Sequence, residues 1–191
     1  PKYFRDIMIH RLALGTVQLG LEYGIANRSG KPNRSSAVQI VDAAWKGGIY
    51  YFDTAQAYGN SENVLGAALE KLGISDTAKI ISKLPPVLTP ADAQRVPQLV
   101  QGTLARLGVT SLDTLLFHRE EHLALLTGYM REAVEHLLKA SIISRFGVSV
   151  STPAAAIQAL GDPLVRVVQL PASVFDRRFE AAGVFDMAAN A

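Results

Sequence analysis

The 191-residue sequence contains no cysteine, which excludes disulfides and thiolate metal sites. It has no run of about 18 apolar residues, the length a membrane-crossing helix needs. Its N-terminus lacks the charged, apolar, small-residue order of a signal peptide. Charge of one sign is not in surplus either: 19 Lys and Arg face 17 Asp and Glu, a net of +2. Such a balance is not the basic field of a nucleic-acid binder. No low-complexity tract, charge block or Gly/Ser linker marks a boundary. The expectation is therefore one domain over 1–191, soluble and cytoplasmic, with neither nucleic acid nor membrane as partner. Nothing in the sequence fixes its oligomeric state. At 49% hydrophobic the chain is long enough to bury a good core.

What is present is a rhythm. Short β-prone runs recur at 11–17, 50–55, 78–84, 112–118, 144–150 and 166–173. They are largely apolar without clean alternation, as parallel strands covered on both faces are. Helix signals lie between them. Ser35 or Ser36 is expected to cap a helix stopped by Gly47-Gly48, and Ser61 one that ends at Gly73. Thr89-Pro90 and Thr152-Pro153 read as caps followed by a first-turn proline. Further helices are expected over 97–107 and 129–140, and EAAGVFDMAANA reads as the start of a sixth. Strict alternation of strand and helix means βα units.

Two α/β architectures use that alternation, an open doubly wound sheet and a closed (β/α)8 barrel. No GxGxxG follows the first run, so the dinucleotide turn of the open sheet is missing. The ends of successive runs instead offer Asp53, Lys83, His118, Ser149 and Gln169. Polar groups at successive strand ends are the pattern of a TIM-type (β/α)8 barrel mouth. Only six βα units can be counted, whereas such barrels run to about 250 residues. The chain is therefore expected to be an incomplete barrel, truncated at its C-terminal side.

The stretch FDTAQAYGNSE, 52–62, supplies the chemistry. Singly, each polar group has an ordinary role: Asp53 a cap, Tyr58-Gly59 a packed turn, Lys83 a solvated cation, His118 a core histidine. His10, His122 and His136 read as ordinary surface or helix residues. Together, Asp53, Tyr58, Lys83 and His118 suit carbonyl reduction. A phenol near pKa 10 is a poor acid, and an adjacent ammonium is expected to lower its pKa. An aspartate keeps that lysine charged, and a histidine can hydrogen-bond the carbonyl oxygen. Side chains do not supply hydride, so a nicotinamide cofactor is implied. No metal site is expected. Lys83 as a Schiff-base lysine is the rival chemistry.

FDTAQAYGNSENVLGAAL resembles the signature of the aldo-keto reductases, and LALGTVQLG, IISK, LARLGVTSLDTLLFH, RFGVSV and VVQLPAS resemble that family's successive strands. The resemblance implies an NADPH-preferring reductase, with NADH possible, acting on a small-molecule aldehyde, ketone or sugar. It gives Tyr58 as proton donor, Asp53 and Lys83 as its tuning pair, and His118 as the carbonyl's partner. It places Ser149 and Gln169 at the nicotinamide carboxamide, with Gly15, Thr16, Val17 and Asp53 bordering the cofactor. Two departures stand out. Ser149-Val150 replaces the family's Ser-Asn, and Leu170-Pro171-Ala172 stands where an aromatic commonly follows the Gln, with Phe175 further on. The family also includes potassium-channel β subunits that act as partners, so a binding protein with little turnover is the alternative. The loop 20–34, with Glu22, Tyr23, Asn27 and Arg28, is polar enough to suit a sugar-like carbonyl and equally suits a solvated connection.

Overall fold

Apolar runs flanked by turn residues become short strands, and the stretches between them become helices. The computed structural model describes residues 9, 11–25 and 27–190; His10 lies outside them. The chain divides into two compact units, the described residues of Pro1–Lys83 with Gln98–Asp113, and those of Leu84–Pro97 with Thr114–Ala191.

In the first unit β1 (Ala13–Gly15), β2 (Tyr51–Asp53) and β3 (Lys79–Lys83) lie in chain order and run parallel. Parallel neighbours need a crossover, and the helices provide it. A four-residue helix α1 (Val17–Gly20) and the longer α2 (Arg34–Lys46) follow β1, and α3 (Ser61–Leu72) follows β2. Helix α2 buries Ala37 and Val41, while α3 buries Leu65, Ala68 and Leu69. Register sets Gly15 beside Asp53. Beyond the strands, the Thr54 amide donates to the Ile81 carbonyl at 2.8 Å, so the segment after β2 is still held against β3.

Helix α4 (Val96–Leu107) is joined to this unit by a buried carboxylate. Glu62, 3% exposed, accepts hydrogen bonds from Ser82 at 2.8 Å, Thr103 at 3.1 Å and the Arg106 Nε at 2.6 Å. Deleting the carboxylate strands three donors at once. Glu62→Ala is expected to cost about 2–3 kcal/mol, the scale of a broken charged network. It should therefore lower Tm by roughly 5–10 °C for a domain of this size, measured by circular dichroism.

Strand β4 (Leu112–Phe117) crosses the division, and its second-unit part is followed in chain order by β5 (Ile143–Ser149) and β6 (Val165–Gln169). Strands β5 and β6 are parallel, with Ser149 opposite Gln169. The core here is aromatic: Phe117 and Phe146 are fully buried and meet edge to face at 5.0 Å. Helices α5 (Gly128–Lys139), α6 (Pro153–Leu160), α7 (Arg178–Ala181) and α8 (Val184–Ala189) complete the unit. Among the described residues, no helix is long and apolar enough to cross a membrane.

All six expected strands form, and four readings of element ends and continuity need correction. Asn33, not Ser35 or Ser36, caps α2, its side chain accepting from the Ser36 amide at 2.9 Å. Ser61 begins α3 but does not cap it; its hydroxyl is fully buried and donates to the Thr16 carbonyl at 2.7 Å. The last strand stops at Gln169, before Pro171, which has no amide to continue a ladder. The sixth helix forms as two short pieces, α7 and α8, separated at Gly183. Thr89 caps a 3₁₀ turn, Pro90–Arg95, through a capping box with Asp92. Thr152 caps α6 as expected.

Candidate active site

Asp53 and Lys83 are the last residues of β2 and β3; the register sets Asp53 opposite Ile81, two residues before Lys83. The Lys83 ammonium donates to Asp53 Oδ1 at 2.6 Å and to the Thr54 carbonyl at 3.0 Å. Lys83 is only 1% exposed. Burial pushes its pKa down, and the Asp53 charge and hydrogen bond act against that push. Without Asp53 the buried ammonium would be disfavoured; with it, the charge has a fixed address.

Tyr58 lies in the loop after β2, half-buried, with the Lys83 nitrogen 5.0 Å from its ring centroid. The ammonium addresses the π face, a favourable cation–π placement. The acidification expected from sequence is not what this arrangement produces. Burial, then the charge of Asp53, then the phenol of Tyr23 push Tyr58 up to about 12. All three act in the same direction, so the phenol stays protonated through the neutral range. In an alkaline titration followed at the tyrosinate absorbance, Tyr58 is expected to ionise near 12, above the ordinary value of about 10. Comparison with Tyr58→Phe identifies the step. Because a raised folded pKa favours the protonated fold, this contribution to stability is present below about pH 10 and lost as pH rises towards 12.

The loop carrying Tyr58 is locked onto α1 by backbone contact. A Cβ on Gly20 would stand 1.8 Å from the Tyr58 carbonyl oxygen, and one on Gly59 would stand 2.6 Å from the Gly20 carbonyl oxygen. Gly59 also has φ +58, a left-handed conformation that side chains resist. Beneath this contact three buried hydroxyls form a chain. Thr54 donates to Ser61 at 3.2 Å, Ser61 donates to the Thr16 carbonyl, and Thr16 donates to the Asp53 carbonyl at 2.9 Å. The Thr16 hydroxyl is thus committed to the scaffold, between exposed Gly15 and half-buried Val17.

Sequence reasoning named Tyr23 and Asn27 only as polar loop residues and did not single out Gln18, Lys31 or Asn60. Tyr23 reaches the neighbourhood of Tyr58, on a loop pinned where Gln18 and Asn27 side chains both donate to the Tyr23 carbonyl. Lys31 of the same loop hydrogen-bonds the Asn60 side chain. The polar composition of 20–34 was the available signal, but not which atoms it would bind.

In the second unit His118 follows β4 directly and is half-buried. Ser149 and Gln169 end adjacent strands side by side, both half-buried. Val150 is buried and Phe175 is almost fully exposed, so neither makes up for the departures noted above. His136 is exposed on α5 as expected. His122 is not a surface residue: it is 5% exposed in the 3₁₀ turn Glu120–Leu125 and packs edge-on against Phe117. Burial lowers its pKa, keeping the ring neutral near pH 7. Among the described residues, no three His, Asp or Glu side chains gather as metal ligands would.

The Aldo/keto reductase family model matches residues 11–191. The chain belongs to that family. A crystal structure provisionally named as an aldo-keto reductase from Pseudomonas aeruginosa is 26% identical, with a TM-score of 0.77 over 93% of this chain and 68% of its own. An aldo-keto reductase of Klebsiella pneumoniae solved in complex with NADPH is 27% identical, with a TM-score of 0.57 over 78% of this chain and 48% of its own. A Schizosaccharomyces pombe protein provisionally named a voltage-gated potassium channel subunit β is 34% identical over 89 residues. That match takes in 41% of this chain and 26% of the yeast protein. The chain thus spans about a quarter of this curated relative. As a member of that family it shares the parallel α/β architecture of its structural neighbours.

Proposed function

We propose that this aldo/keto reductase chain serves an NAD(P)H-dependent interconversion of a carbonyl and an alcohol, with Tyr58 as the proton donor. The observation that carries the reading is the buried Lys83, bonded to Asp53 at 2.6 Å and set over the Tyr58 ring. A lysine this deeply desolvated is placed for chemistry or for structure, and the half-buried phenol beside it favours chemistry.

A bound nicotinamide dinucleotide would deliver hydride to the carbonyl carbon. The residues here fit its carboxamide: Ser149 and Gln169 end adjacent strands in register, and a hydroxyl with an amide can together both donate and accept. The match to a relative solved with NADPH supports the same cofactor. Tyr58 holds its proton at neutral pH and gives it to the carbonyl oxygen as charge develops there. Lys83, kept charged by Asp53, stabilises the phenolate left behind. His118 hydrogen-bonds the carbonyl oxygen. Gly15, Thr16 and Val17 border the cofactor at the end of β1. A sugar-like or other polar carbonyl suits the loop with Tyr23 and Lys31.

The test is NADPH fluorescence titration of the full protein, followed by NADPH oxidation with 4-nitrobenzaldehyde. Saturable binding with turnover is expected. Binding without turnover on any carbonyl would favour a partner-binding role, the second reading, which rests on the likeness to the channel subunit.

A further inference from the structure

Glu120 lies two residues after His118, where the chain leaves β4 and enters the 3₁₀ turn Glu120–Leu125. Its carboxylate reaches across to the segment that follows β5. One oxygen, Oε2, accepts from the Ser151 amide at 2.7 Å and from the Thr152 amide at 3.0 Å. The Thr152 hydroxyl donates to Oε1 at 3.2 Å while itself accepting from the Ala155 amide at 3.3 Å. The amides of the cap residue Thr152 and of Ser151 before it are therefore satisfied by an anion on a different strand end. The Ser151 amide, then the Thr152 bonds, hold the Glu120 carboxyl below the usual range, so it is charged at neutral pH.

The consequence concerns what lies two residues away on each side. Ser149 precedes Ser151 by two positions and faces Gln169 across the β5–β6 ladder, and the Val150 amide donates to the Gln169 carbonyl at 2.8 Å. His118 precedes Glu120 by two positions. One carboxylate thus ties the segment bearing His118 to the segment bearing Ser149 and, through the ladder, to Gln169. We infer that Glu120 is a positioning residue, which fixes His118 and the Ser149–Gln169 pair relative to one another so that carbonyl partner and carboxamide holders keep a common geometry. The inference rests on the roles proposed above for those three residues. A bare loop would have left each strand end to settle on its own; a charge-assisted bond with three donors does not.

The experiment separates this inference from the functional reading. In the ligand-free full protein, Glu120→Ala is compared with the parent by amide and imidazole NMR. Shifts are expected at Ser151 and Thr152, and also at Val148 to Val150, Gln169 and the His118 ring. Changes confined to Ser151 and Thr152 would overturn the inference, whatever the protein binds. With NADPH, Glu120→Ala is expected to raise Kd about tenfold and lower kcat for 4-nitrobenzaldehyde by a similar factor. Glu120→Gln, which keeps an acceptor oxygen for the amides, should recover part of both. A loss of Tm with Kd and kcat within about twofold of the parent would mark Glu120 as a purely structural clamp and sink the proposal. If the parent binds no NADPH, the functional reading falls, and the ligand-free shifts alone decide this one.

Discussion

Tyr58→Phe is expected to lower carbonyl turnover by at least about a hundredfold, the lower end of what a lost general acid costs. The substitution isolates the chemistry because nearly everything else about the residue survives. The ring remains, so the Lys83 nitrogen keeps its π-face contact at 5.0 Å. The loop remains, since it is set by backbone bonds from the Tyr58 amide to Ala55 and from the Ser61 amide to the Tyr58 carbonyl. What goes is a hydroxyl held protonated by burial and by the charge of Asp53. NADPH affinity should therefore stay close to the parent's while kcat collapses, the signature of an interaction made only in the transition state. Turnover within about threefold of the parent, with a folded protein, would remove Tyr58 from the mechanism.

Gly20→Ala is the second large effect, and it works through packing. The added methyl would lie 1.8 Å from the Tyr58 carbonyl oxygen, 2.5 Å from the Ser61 nitrogen and 2.8 Å from the Ser61 Cβ. Two of these neighbours are backbone, so no rotamer change relieves the clash; α1 and the Tyr58 loop must separate. Overpacking of this kind costs about 2–3 kcal/mol or more, which should read as a fall in Tm of roughly 5–10 °C. The loop that moves is the one carrying the donor, so turnover is expected to fall with stability, by about tenfold or more. Gly15→Ala is the control for stability, because a Cβ there meets nothing within 4 Å. Equal Tm values for the two variants would show that the close approach does not constrain the loop.

The strands were readable because a buried parallel sheet writes itself as short apolar runs, and all six appear near their expected places. Helix ends were less so. Asn33 and the serines after it offer the same kind of side-chain oxygen, and geometry alone decides which one caps. The Asp53–Lys83 pair was visible as polar residues at the ends of consecutive runs, and the structure brings the two into contact. The acidity of Tyr58 was not legible. Sequence says which charges are near, but the sign of the shift depends on how much water is excluded and on how close the Asp53 charge and the Tyr23 phenol come. Glu62 and Glu120 were missed for a related reason: an acidic residue at the start of a helix looks like a solvated charge until its distant donors are known.

The three interior hydroxyls of Thr54, Ser61 and Thr16 have one further implication. Each proton already has an acceptor, every donor in the series points the same way, and none of the three residues touches solvent. Their deuterons could be traded with bulk water only when β1 and the Tyr58 loop come apart. The rate of that isotopic wash-out is then a clock for the opening of this corner, readable without any substrate or cofactor in the tube.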